Sequence, residues 1–326
     1  MDHATLRARN SSRFATAQLG FEVSKPDPRA RSVRFFTYIL EQRTTRKINH
    51  RRQEVFTSIT RSMYLRLGAP VRDSFFRWED ESGSHYPLAS LMSSRSGKAG
   101  GGRGGKTRLA LYLSLLWVAA GKDHSSNRPT STWAALLGLS DPDRAGSRAI
   151  RATWKELEQR GFVTISPAAK GDEPPTITPL REDGSRRPYT RPQGLEGDTY
   201  RRIPELAWRS LFPDEELTGP GLAMYLVALR TAGKAQTTSR LVFPADYFRE
   251  EYGLGESTRK AGLRNLSYLG VLDARQDSTD PYGDPSRRRR RRNTYDLLEA
   301  YASPPPISRE ETERPAQESP ENRRWP

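Results

Sequence analysis

Leu109-Ala-Leu-Tyr-Leu-Ser-Leu-Leu116 reappears 113 residues later as Leu222-Ala-Met-Tyr-Leu-Val-Ala-Leu229. Each run is apolar on most sides, which predicts a helix inside a core rather than on a surface. The match resumes downstream: Trp154-Lys-Glu-Leu157-Glu-Gln-Arg-Gly161-Phe-Val163 aligns with Leu263-Arg-Asn-Leu266-Ser-Tyr-Leu-Gly270-Val-Leu272 at an offset of 109. The two offsets differ by four residues, which is one loop insertion. The lead-ins agree loosely, Tyr64-Leu-Arg-Leu67 before the first copy and Tyr200-Arg-Arg-Ile203 before the second. A unit of about 100 residues is therefore present twice, which says more than either copy alone.

The order of elements within the unit follows from local signals. The core helix is expected over Thr107 to Ala120 and Gly221 to Ala232. A short amphipathic helix follows, Ser131 to Leu137 or Pro244 to Tyr252, then a glycine turn, Gly138-Leu-Ser140 or Gly253-Leu-Gly255. A longer amphipathic helix spans Ser147 to Arg160 or Ser257 to Leu269. Gly161 and Gly270 stand where a helix ends in the left-handed conformation that costs glycine nothing. A β-rich run comes next, Phe162 to Ile165 or Val271 to Ala274, and a second run closes the unit, Thr176-Ile-Thr178 or Arg291 to Leu297. Helix, helix, turn, helix and hairpin is the winged helix-turn-helix order. The expected fold is mainly α with small β-hairpins, as two tandem winged helices.

Around this repeat the chain divides by composition. Residues 1–61 carry thirteen Lys/Arg against five Asp/Glu and read as a basic arm with one weakly packed helix. The first winged-helix domain covers 62–180 and includes a Gly/Ser-rich flexible segment at 93–106. Residues 181–199, at the end of a stretch rich in Pro, Gly and charge, read as a linker. The second domain covers 200–302, and 303–326, with six prolines and almost no aliphatic residue, reads as a disordered tail.

Charge points to the partner. Lys+Arg 54 against Asp+Glu 39 gives a formal net charge of +15 in 326 residues, which favours a polyanion such as nucleic acid. The bases are nine Lys and forty-five Arg, an excess that a GC-rich genome also produces. The absence of cysteine excludes disulfides, Cys-ligated zinc, iron–sulfur clusters and thiol chemistry. His3, His50, His85 and His124 are isolated from one another, so no metal site is expected, and no cofactor. No apolar run reaches the ~18 residues that span a bilayer. The N-terminus also lacks an apolar signal core. These features predict a soluble cytoplasmic protein with no membrane partner.

The third helix of each unit is where a helix-turn-helix meets the major groove, its N-terminal residues nearest the base edges. In the second unit Gly262, Leu263, Leu266 and Leu269 form the expected core face. Ser257, Thr258, Arg259, Lys260, Arg264 and Asn265 are then left on or near the exposed side. Arg pairs with guanine O6/N7 and Asn with adenine N6/N7. In the first unit Ile150, Trp154 and Leu157 face the core, and Arg144, Arg148, Arg151 and Lys155 face outward. Arg287, Arg288, Arg289, Arg290, Arg291 and Arg292 sit between the two strands of the second hairpin. Strand alternation turns about half of them to one side, suited to phosphates or the minor groove.

Two other patterns bear on function. Gly100-Gly-Gly-Arg-Gly-Gly105-Lys106-Thr107 fits the phosphate-loop spacing, but what precedes it is polar rather than a buried strand. The second copy, Thr218-Gly-Pro-Gly221, lacks the lysine. The segment reads as a linker whose Arg95, Lys98, Arg103 and Lys106 graze phosphates, with a phosphate-loop nucleoside triphosphatase as the remote alternative. Glu79-Asp80-Glu81 reads as a solvated turn. No catalytic constellation is found, and the expected function is not enzymatic.

Two tandem winged helices behind a basic arm resemble the replication initiators of theta-replicating plasmids. The second unit, with GLGESTRKAGLRNLSYLG and the closing RRRRNTYDL, also resembles winged-helix proteins of actinobacterial plasmids and integrated mobile elements. The resemblance covers about 62–300 at the level of architecture. It implies that the second domain reads repeats in double-stranded DNA through Ser257, Thr258, Arg259, Lys260 and Arg264. It implies too that the first mediates homodimerisation and backbone contact, with the replication machinery as a further partner. A transcriptional regulator needs the same groove-reading helix and stays open as the alternative.

Overall fold

The structure, a computed structural model, describes residues 50–62, 68–93, 103–119, 124–168, 173–277 and 292–304. The arm up to residue 49, positions 94–102, Arg287 to Arg291 and the tail from 305 lie outside the described residues. The chain opens with α1 (His50–Ser62), β1 (Ala69–Arg72), the hairpin β2 (Trp78–Asp80) and β3 (Gly83–His85), and α2 (Pro87–Met92). The first copy of the repeat is α3 (Arg103–Val118), α4 (Thr130–Leu136), α5 (Ala145–Gln159), β4 (Val163–Ser166) and β5 (Thr176–Pro179). After β6 (Tyr200–Ile203) the second is α6 (Gly219–Ala235), α7 (Phe248–Tyr252), α8 (Glu256–Tyr268), β7 (Leu272–Asp277) and β8 (Arg292–Leu297). The architecture is mixed α/β, with helices around small antiparallel two-stranded sheets. Among the described residues no helix is long and apolar enough to cross a membrane.

The two copies repeat each other in contacts as well as in order. Tyr112 of α3 donates its hydroxyl to the Leu180 carbonyl just past β5, and the matching Tyr225 of α6 donates to Tyr301 beyond β8, both at 2.9 Å. The segment between the first two helices of each copy bonds to the hairpin. Ser126 and Ile177 exchange amide-to-carbonyl bonds of 2.9 and 2.8 Å, as Leu241 and Tyr295 do at 2.8 and 2.9 Å. The expected helix-ending glycines are left-handed, Gly161 at φ +77 and Gly270 at φ +68, and so are the turn glycines, Gly138 at +67 and Gly253 at +64.

The copies are interlocked through their lead-ins. β1 and β6 pair antiparallel, Ala69 opposite Ile203 and Arg72 opposite Tyr200. The strand that pairs with β6 is Ala69–Arg72; the Tyr64–Leu67 run lies outside the described residues. Past β6, Trp208 stacks on Trp117 of α3 at 4.4 Å and donates its indole N–H to Ser114 at 2.9 Å. Past β1, Phe76 meets Tyr252 of α7 edge-on at 6.1 Å. The turn glycines obey the same exchange: a Cβ on Gly138 would fall 2.8 Å from Pro213, and one on Gly253 would fall 2.6 Å from Tyr86. α2 forms the wedge of this junction, with Leu88 and Leu91 fully buried.

The segment expected as a linker, 181–199, has no helix or strand yet is fastened to β1. Arg72 is 1% exposed and Glu182 0%. The Arg72 guanidinium donates to Glu182 at 2.8 Å, to Asp198 at 2.5 Å and to the Thr190 carbonyl at 2.6 Å, and Tyr189 lies under it at 5.6 Å. The Arg72 amide adds a bond to Glu182 at 3.1 Å. Burial by itself would lower the Arg72 pKa, and Glu182 and Asp198 outweigh it, holding the group above its ordinary value.

Two expected boundaries shift, and one helix expected to be weakly packed buries part of its surface. α7 begins at Phe248 rather than Pro244; the Phe243 carbonyl just upstream is taken by the Arg259 guanidinium at 2.7 Å. α3 begins at Arg103, inside the Gly-rich run, and its Gly105 packs where a Cβ would meet Met92 at 3.3 Å. α1, expected in a weakly packed arm, buries Ile59 completely and sets Phe56 on Trp117 at 5.8 Å.

Two stability outcomes follow from these contacts. Glu182→Gln keeps the shape but leaves Arg72 short of a buried counter-charge, so it should cost about 3–5 kcal/mol in urea unfolding. A loss below about 0.5 kcal/mol, the range of an ordinary surface change, would show that the cluster does not hold the junction. Gly253→Ala should destabilise more than Gly197→Ala. Both positions have positive φ, but only Gly253 has a neighbour within 4 Å of the added methyl, so equal losses would mean that Tyr86 simply moves aside.

Candidate nucleic-acid interface

α5 and α8 are the third helices of their copies, and their buried faces leave the remaining positions for solvent. On α5, Ser147, Ile150, Thr153, Trp154 and Leu157 are buried, and Trp154 meets Trp133 of α4 edge-on at 5.5 Å. Arg144, Arg148, Arg151 and Lys155 are all exposed. Arg148, Arg151 and Lys155 share one helical stripe about 10 Å long, at 1.5 Å of rise per residue, and Arg144 stands at the N-cap just before it. Among the described residues none of the four side chains makes an ion pair or hydrogen bond.

The stripe stays unpaired because the carboxylates of α5 are committed elsewhere. Glu156 accepts from Arg108 at 2.8 Å and from Arg160 at 2.9 Å. Those two arginines also bond the Leu91, Ser90 and Ser93 carbonyls at the end of α2. Burial would raise the Glu156 pKa, and Arg160 and Arg108 hold it below its usual range. Glu158 accepts the Ile165 amide at 3.0 Å. Four cations without a counter-charge at one helix form a field that attracts an anionic surface.

α8 has the expected core face, with Gly262, Leu263 and Leu266 buried and Leu269 just beyond. Its outward residues are arranged differently from the expectation. Arg259 forks onto Glu256, Nε to Oε2 at 2.7 Å and Nη2 to Oε1 at 2.6 Å, and its third bond goes to Phe243. Lys260 lies 3.3 Å from the same carboxylate. Asn265, expected free for adenine, is turned inward: its Oδ1 accepts from the Thr218 amide at 2.9 Å and hydroxyl at 3.0 Å, and its Nδ2 donates to the Glu216 carbonyl at 2.9 Å. It caps the entry to α6, where Gly221 leaves no room for a Cβ beside it. Ser257 and Arg264 are exposed and Thr258 is half-buried. Arg292 is placed on β8 opposite Asp277, whereas Arg287 to Arg291 lie outside the described residues.

Lys106, the lysine of the phosphate-loop-like run, does not face outward. Its Nζ donates to the Asp214 carbonyl at 2.5 Å, and burial lowers it to about 8 against the opposing pull of Asp214 and Glu215. The glycines beside it serve a helix crossing: a Cβ on Gly219 would meet Met92 at 2.9 Å and the Lys106 amide at 3.3 Å. The described element upstream of the run is α2, a helix where a phosphate loop has a strand. Among the described residues no three His, Asp or Glu side chains gather as metal ligands would.

Sequence spacing alone finds the stripe on α5, since core residues at 150, 154 and 157 force 144, 148, 151 and 155 outward. It misses the Arg259–Glu256 fork, although an acid and a base three apart on a helix is a pairing signal. It also misses the cap by Asn265, whose partners lie 47 and 49 residues away. Comparison with protein-family models, with curated proteins and with solved structures found no match to this chain.

Proposed function

We propose that this chain is a sequence-specific double-stranded DNA-binding protein built from two tandem winged helices, acting as the replication initiator of a plasmid or integrated mobile element. The observation that carries the reading is the unpaired stripe Arg148, Arg151 and Lys155, with Arg144 at its N-cap. It runs along the third helix of a helix-turn-helix unit, where such a fold meets the major groove. The bond between Ser126 and Ile177, and its counterpart between Leu241 and Tyr295, supports the winged reading. Each is a single bridge from the segment after the first helix to the second strand of the hairpin, the place a third strand takes in a winged helix. The net charge of +15 supports a polyanionic partner for the whole chain.

The function needs no chemistry beyond binding. Backbone contacts set register and supply most of the affinity, while base-edge contacts supply the preference. α5, with four open cations, is suited to the first task. α8 offers Ser257, Lys260 and Arg264 at its surface, a set suited to the second. The assignment to replication rests on the resemblance of the tandem arrangement to plasmid initiators. The phosphate-loop alternative loses ground because Lys106 donates to a backbone carbonyl within the chain.

Selection of random duplexes by the purified chain at near-physiological salt should enrich a motif, and that motif should recur as iterated copies at the element's origin. Retention without enrichment would reduce the protein to a charge-driven binder. Recurrence at promoters alone would favour the regulator. The stripe has its own test, a titration of duplex binding against salt. Replacing Arg144, Arg148, Arg151 and Lys155 by alanine should flatten the slope of log K against log salt by up to about 3.6, at ~0.9 per lost phosphate contact. An unchanged slope would place the binding face elsewhere.

A further inference from the structure

We infer that Glu256 is a base-reading residue of α8, its carboxylate accepting a hydrogen bond from the exocyclic amino group of cytosine, and that Arg259 is its positioning residue. The inference rests on the proposed DNA-binding role and deepens it. Glu256 is the first residue of α8, the end of a recognition helix that lies nearest the base edges. Its side chain is 42% exposed, while that of Arg259 behind it is 15% exposed.

The hydrogen-bond inventory points to which of the two is open to a base. Arg259 spends Nε and Nη2 on Glu256 and a proton of Nη1 on Phe243. It meets guanine as a fork only by giving up the fork it already has. A carboxylate has about four lone-pair directions. Arg259 takes one on each oxygen and Lys260 one more on Oε1, so one direction remains, on Oε2. An acceptor at a major-groove edge suits the amino group of cytosine, which is a donor. A bare carboxylate there would be repelled by phosphates, but two flanking cations give the trio a net charge of +1. The Arg259 bonds hold Glu256 at about 2, below its usual range, so it remains a pure acceptor near neutral pH. The anchor of Arg259 on Phe243 ties the carboxylate to the segment entering α7, which limits the rotamers of an otherwise exposed side chain.

Random-duplex selection by the full chain tests this with Glu256→Gln, Glu256→Ala and Arg259→Ala beside the wild type, and a thermal melt confirms that each variant is folded. The wild type should select cytosine at one position that Glu256→Ala relaxes, a preference of about 5- to 150-fold, as one base contact of about 1–3 kcal/mol supplies. Glu256→Gln should switch that position towards adenine, whose N6/N7 edge an amide meets in bidentate fashion. Arg259→Ala should blur the same position and no other, which a purely structural arginine would not do. A wild-type motif that persists unchanged in both Glu256 variants overturns the inference and leaves the DNA-binding reading standing, as does a change at a position where cytosine is not selected. A wild type that selects no motif overturns the parent reading instead.

Discussion

Arg72 sits at the end of β1 with 1% of its side chain exposed, and four residues of the segment 181–199 are arranged around its guanidinium. Glu182, Thr190 and Asp198 bring in the segment that joins the two copies, and the Arg72 residue itself pairs with Tyr200 across the β1–β6 ribbon. A buried cation without partners is intolerable, so the chain between β5 and β6 has few ways to run once Arg72 is inside. With that path set, β6 lies beside β1, Trp208 is delivered onto Trp117, and α6 approaches α3 closely enough that glycine is needed at Gly219. The Arg72 cluster, the β1–β6 pairing and the Trp117–Trp208 stack thus act on the same junction between the copies.

What was legible in the residues follows from what is local. The Leu109 and Leu222 runs are apolar on most sides, and both are core helices; Gly161 and Gly270 end helices in the left-handed region as their position demands. Periodicity alone separates Ile150, Trp154 and Leu157 from the four cations of α5. What was not legible depends on partners far along the chain. The stretch 181–199 has the composition of a tether, and only Arg72, 110 residues from Glu182, makes it part of the core. The run Gly104-Gly105-Lys106 has the spacing of a phosphate loop, and only Asp214, 108 residues away, shows where the lysine goes. Asn265 has the chemistry of an adenine reader and the geometry of a cap. In each case the residue type is right for two tasks, and the three-dimensional neighbour decides between them.

With fifty-four basic residues in the chain, the presence of a cation at a surface says little. The informative property is whether a carboxylate has already neutralised it. Arg108 and Arg160 are spent on Glu156 and on the end of α2, Arg230 on Glu251, and Arg259 on Glu256. Subtracting such pairs leaves α5 with four open cations and α8 with a mixed surface. The two helices occupy the same place in their units, yet their electrostatics differ in kind.

That difference suits a division of labour in which affinity and preference reside in separate copies. Unpaired cations release counterions on any duplex and discriminate poorly, so a protein relying on them alone binds everywhere. A carboxylate held between two cations gains little free energy from a duplex, but it penalises every base that fails to offer it a donor, because its burial against the wrong edge leaves an acceptor unmet. Joining the two in one interlocked body makes the weak discriminator effective. On the proposed DNA-binding reading, α5 would supply the residence during which α8 samples successive base pairs, and the β1–β6 pairing would hold the second helix beside the duplex while the first is bound.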